Sequence, residues 1–141
     1  MKNILTGLLL SAFLLSGLVM ADEYAQKTYA LLDASKLENF KIELSDKQKI
    51  KIEKSVEKTN KTIDKLVNKM EKTKAKMEKV NADTKQKKDE KLEQLQELNT
   101  QLTQYRVEIV RATKEHKDNV MDILTDSQTS ALKSQMNNTE K

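Results

Sequence analysis

The sequence predicts an all-α protein, a long antiparallel helical hairpin with short flanking helices. Three observations lead there. Both glycines, Gly7 and Gly17, lie near the N-terminus, so beyond residue 21 the chain has no Gly, Pro, Cys or Trp. Tight β-hairpin turns therefore lack their preferred residues, while the abundant Lys, Glu, Gln, Leu, Met and Ala favour helix. Apolar residues recur at alternating steps of four and three along two long stretches, which is the spacing of a coiled-coil seam. One short polar break, "VNADTKQ" at 80–86, separates the two stretches.

The N-terminus decides the compartment. "MKN" is a short basic start, "ILTGLLLSAFLLSGLVM" is an apolar run, and Val19 and Ala21 are small residues at the −3 and −1 positions of a signal peptidase site. Residues 1–21 are therefore expected to be a cleaved secretory signal, and 22–141 one helical domain acting in the periplasm. The alternative is an uncleaved membrane anchor, because the apolar run reaches the lower length limit of a spanning helix. A lipoprotein would need a cysteine, and the chain has none. After cleavage no stable membrane insertion is expected, and no disulfide framework holds the fold.

The first long helix follows the seam Ile52, Val56, Thr59, Ile63, Leu66, Met70, Thr73, Met77, Val80. Within it runs a seven-residue repeat, "VEKT", "IDKL", "MEKT", "MEKV", which places Lys58, Lys65, Lys72 and Lys79 at equivalent positions. The plain reading of those charges is a solvated helix face. The second seam runs Leu95, Leu98, Leu102, Tyr105, Ile109, Ala112, His116, Asn119, Ile123. In the break, Asn81 is expected as a left-handed helix stop, with Asp83 and Gln86 as the N-cap pair of the next helix. Helices of about 35 and 40 residues would each extend roughly 50–60 Å. One uninterrupted helix from about 46 to 123 is the competing arrangement. Val107, Val110, Val120, Met121 and Leu124 add apolar surface beyond the seam. That excess is expected to meet flanking helices in "YAQKTYALLDA" and "SQTSALKSQM", or a second subunit. A two-helix hairpin encloses little core, which itself argues for a homodimer.

The flanks of the hairpin carry a repeated motif, "LSDKQ" at 44–48 and "LTDSQ" at 124–128. With 11 Leu, 17 Ser or Thr and 9 Gln after residue 21, chance would supply Leu-Ser/Thr-x-x-Gln only roughly 0.1 times. Folding at 81–83 brings both copies to the same end of the hairpin. Each fits a helix start: Ser45 and Thr125 can accept from an amide three residues on, while Gln48 and Gln128 reach back to the cap amide.

These residues resemble the Spy/CpxP family of periplasmic proteins. The resemblance rests on "LSDKQKIKIEK" and "VMDILTDSQTSALKSQMNN" and covers about residues 40–137. It implies a four-helix hairpin-like subunit, an elongated antiparallel dimer shaped as a curved cradle, and ATP-independent chaperone binding of unfolded or misfolded envelope proteins, within an envelope stress response. The motif carries over only to Leu44, Ser45, Gln48, Leu124, Thr125 and Gln128. With two arginines and a regular heptad middle, the chain departs from the family pattern.

Composition narrows the remaining classes. Without glycines or cysteines after residue 21 there is no phosphate-cradling loop, Gly-x-Ser-x-Gly elbow, thiol nucleophile or cysteine metal site, so neither an enzyme nor a bound cofactor is expected. Residues 22–141 hold 25 Lys or Arg against 22 Asp or Glu. Export and the interspersed acids disfavour nucleic acid. A client surface would combine the attraction of Lys58, Lys65, Lys72 and Lys79 with adaptable contacts from Met70 and Met77, although methionine at seam spacing is ordinarily core. Two alternatives stay open. One is metal binding, for which His116, beside Glu115 and Asp118 and near Met121, is the sole foothold. The other is a regulatory coiled coil with a sensor kinase as partner.

Overall fold

The computed structural model describes residues 31–139. The expected signal segment, Tyr24 and Tyr29 lie outside them. The described residues form four helices and no strand: α1 (Ala34–Asn39), α2 (Asp46–Ala82), α3 (Lys88–Ile123) and α4 (Asp126–Thr139). This is the expected all-α hairpin, with α2 and α3 antiparallel and short helices on either flank. At 37 and 36 residues, the long helices are each about 55 Å in length. The uninterrupted helix is excluded by the break at residues 83–87.

By contacts the chain divides into two units. The unit containing the turn spans residues 66–108. Its core is narrow: Leu66, Met70 and Thr73 of α2 against Leu95 and Leu102 of α3. At its edge the Lys69 ammonium lies 5.6 Å from the Tyr105 ring centroid, close enough for a cation–π attraction.

The turn itself corrects the expected capping. Asn81 is helical, and Lys41 is the sole described non-glycine residue with positive φ. Asp83 does not cap α3, which starts at Lys88. Its Oδ1 instead accepts from the Lys85 amide at 2.8 Å, closing a local side-chain turn. Lys91 takes over the stop. Its ammonium donates to the carbonyls of Asn81 and Asp83, satisfying exposed carbonyls at the end of α2 and placing a cation at the negative end of the helix dipole. With those carbonyls satisfied from outside, no left-handed residue is required.

The second unit comprises residues 30–65 and 109–141. Its described core holds Leu37, Ile42, Ile52, Val120, Leu124 and Leu132, with Phe40, Leu44, Val56 and Met136 packed against it. Here α1 and α4 cover Val120, Met121 and Leu124 of the apolar excess of α3. Leu31 to Asp33 are not helical, contrary to the flanking helix expected through Ala34. The reason is local: Asp33 is extended and its carboxylate accepts the Lys36 amide at 2.7 Å, so helix begins only after it. Less than two turns later α1 is closed by a Schellman motif. The Ile42 amide donates to Leu37 at 3.0 Å and the Lys41 amide to Glu38 at 2.8 Å, with Lys41 left-handed at φ 59°. Glu38 also pairs with Lys49 at 2.6 Å, joining α1 to α2. That hydrogen bond and the charge of Glu38 raise the Lys49 pKa.

The first seam is buried largely as expected, with Val56, Met77 and Val80 half-exposed. The second holds through Leu95, Leu102, Ile109 and His116, then departs. Asn119 is exposed, and Val120 and Leu124 are buried instead. A straight helix turns every 3.6 residues while the heptad assumes 3.5, so the stripe drifts, and the α1–α4 cover selects the drifted face. Val107 and Val110, by contrast, remain about half-exposed.

Candidate functional site

The two Leu-Ser/Thr-x-x-Gln motifs meet in the second unit. Each forms a reciprocal capping box. The Ser45 amide donates to Gln48 Oε1 at 3.0 Å and the Gln48 amide to Ser45 Oγ at 3.3 Å. At the other copy the Thr125 amide donates to Gln128 Oε1 at 2.8 Å and the Gln128 amide to Thr125 Oγ1 at 3.3 Å. These bonds start α2 and α4 respectively. Leu44 and Leu124, the first residue of each motif, pack into the shared core.

The motifs are also joined to one another. Gln48 Nε2 donates to the Ile123 carbonyl at 3.1 Å, the residue preceding the second motif. Gln128 Nε2 donates to the Glu43 carbonyl, the residue preceding the first. The carboxamides meet between them, Gln48 Nε2 standing 2.8 Å from Gln128 Oε1 and Gln128 Nε2 3.3 Å from Gln48 Oε1. The arrangement has local pseudo-twofold symmetry, with Glu43, Ser45 and Gln48 matching Ile123, Thr125 and Gln128. Backbone amides fix where each Oε1 lies and backbone carbonyls fix each Nε2, so neither amide can be flipped without losing bonds. The repeated motif is a clasp closed from both sides.

A second polar connection lies deeper in the same unit. His116 is 1% exposed. Its Nε2 is 2.8 Å from the Leu32 carbonyl and its Nδ1 2.9 Å from Ser55 Oγ. A carbonyl only accepts, so Nε2 carries a proton, and in the neutral ring Nδ1 accepts from the Ser55 hydroxyl. One side chain thereby ties α3 to α2 and to the extended entry of α1. A metal ion at His116 would have to break one of these bonds. Among the described residues no group of three or more His, Cys, Asp or Glu gathers in a metal-binding arrangement.

The six motif residues are thus brought together, and the expected client-contact residues are dispersed along α2. Lys58, Lys65, Lys72 and Lys79 are exposed. Met77 is half-buried, and Met70, 4% exposed, belongs to the core, which corrects its expected surface role. The cross-bonds of Gln48 and Gln128, and the Ser55–His116 pair, were not anticipated from the sequence. Residues 55 and 116 sit at nearly matching distances from the break, which is the signal that could have paired them.

No protein-family model matches the chain, and neither does any curated protein or solved structure. No helix among the described residues is long and apolar enough to cross a membrane.

Proposed function

We propose that the protein is an exported, ATP-independent chaperone that holds unfolded or misfolded envelope proteins, in the manner of the Spy/CpxP family it resembles, and acts as a homodimer in the periplasm. The observation that carries this reading is the clasp: two Leu-Ser/Thr-x-x-Gln motifs capping separate helices and bonded to each other. A resemblance resting on a five-residue motif gains weight when both copies have the same structural task. The exposed lysines at seven-residue intervals along α2 support it further, because such a row attracts acidic clients over long range. Weak, adaptable contact suits a protein that has no glycine-rich nucleotide loop to power release.

The test is light scattering of a chemically denatured model client diluted into buffer with and without the protein, and without nucleotide. Suppression of aggregation is expected near equimolar dimer at low salt. It should weaken toward about 0.5 M salt, where the Debye length falls to roughly 4 Å. Replacing Lys58, Lys65, Lys72 and Lys79 together with Gln should weaken it similarly. Unchanged aggregation at equimolar protein and low salt rejects the chaperone reading.

A further inference from the structure

A shallow, open cleft of about 510 Å³ lies beside the clasp, between the second to fourth turns of α2 and the end of α3. Lys51, Lys54, Ser55 and Lys58 form its α2 wall, and Asn119, Asp122 and Ile123 its α3 wall. We propose that this cleft binds extended peptide segments bearing carboxylates on alternate residues, and that such segments are the part of a client the protein grips. The proposal rests on the chaperone reading above and specifies where and what it binds.

The α2 wall sets the charge. Lys51, Lys54 and Lys58 follow helical steps of three and four, so their side chains share a face. No ion pair within the described residues involves any of the three. Each ammonium can therefore take a ligand carboxylate without first losing a partner. Spacing matches as well. Along the helix axis Lys54 and Lys58 stand about 6 Å apart and Lys51 and Lys58 about 10 Å. In an extended peptide, side chains on one face repeat about every 6.6 Å. Carboxylates on two alternate residues thus fall in step with Lys54 and Lys58, while Lys51, about 4.5 Å further along the axis, adds positive charge at one end of the row.

The other groups fit a main chain. With the His116 ring neutral, the Ser55 hydroxyl donates to Nδ1, which leaves its oxygen lone pairs to accept a peptide N–H. Asn119 brings a carboxamide that can donate to a peptide carbonyl and accept from an N–H. Ile123, half-buried, offers an apolar contact between them. Asp122 acts as a filter. It repels carboxylates from the α3 wall, so the acidic side of the segment must face α2.

Fluorescence anisotropy of labelled peptides against the full-length protein tests this, using one peptide alternating Glu with Leu and another alternating Lys with Leu. The glutamate peptide should bind and the lysine peptide should not. Lys51→Gln with Lys54→Gln and Lys58→Gln should weaken the glutamate peptide roughly tenfold, from two exposed ion pairs and the lost charge of Lys51. Asp122→Asn should tighten it severalfold, a gain that damage to the fold would not produce. All four residues are exposed, so circular dichroism should stay unchanged. Equal affinity for the two peptides, or indifference of the glutamate peptide to both variants, overturns the proposal. The client assay is read separately: suppression of aggregation without peptide binding removes the cleft and leaves the chaperone, whereas peptide binding without suppression removes the chaperone and leaves the cleft.

Discussion

Gln48 and Gln128 each use both ends of a carboxamide. In an isolated capping box Glu serves as well as Gln, since the task is to accept a backbone amide and a carboxylate also suits the positive helix start. Here the nitrogen is equally committed, to the carbonyl of Ile123 or Glu43. A carboxylate would set oxygen against those carbonyls and against the opposing Oε1. Gln48→Glu is therefore expected to destabilise the fold by about 2–3 kcal/mol, lowering the thermal midpoint by on the order of 10 °C. Thermal unfolding followed by circular dichroism checks it, and an unchanged midpoint would mean that the crossed bonds contribute nothing. The capping half of this site was legible, because Ser/Thr-x-x-Gln is a local pattern whose partners lie within one turn. The crossing half was not. It depends on carbonyls about eighty residues away, and its one trace in the sequence is that both copies keep Gln in a chain otherwise rich in Glu.

The helices were legible where burial decides them and less so where termini decide them. Two seams of apolar residues located α2 and α3 because helix pairing buries one stripe on each. The stops were misread at Asn81 and Asp83, residues whose own chemistry suits caps but whose place was taken by Lys91, a residue ten positions beyond Asn81. Nothing in local propensity reports a cap supplied from the next helix. At α1 the reverse occurs: a left-handed stop exists at Lys41, a residue with no preference for it. The surrounding Schellman bonds and the packing of Ile42 and Leu37 hold it there. Left-handed conformation costs a side chain bearing a Cβ roughly 1 kcal/mol, so Lys41→Gly should stabilise the protein by about 0.5–1 kcal/mol. The midpoint of chemical unfolding should rise with its slope unchanged. A lower midpoint would show that the lysine side chain contributes more than its backbone conformation costs.

Across the molecule, burial is unequal between the two units. Residues 66–108 bury four apolar side chains, whereas the described residues of the other unit bury nine. Seam periodicity alone does not distinguish them; the difference arises because α1 and α4 cover only the second. The clasp belongs to that richer core, and it also has a consequence in time. Its bonds join residues 75 to 85 positions apart, so closing it requires the chain to surrender the entropy of a long loop. The α2–α3 turn is local and can zip first, carrying the two motifs toward each other as the helices register. The clasp should then form after the rate-limiting barrier, and substitutions that weaken it should act on escape from the native state. In stopped-flow measurements Gln128→Ala is expected to accelerate unfolding severalfold while leaving the refolding rate nearly unchanged; a slowed refolding limb would instead place the clasp in the folding nucleus. Two glutamines would then serve as a latch that sets how long the finished structure lasts, with little say in how fast it is reached.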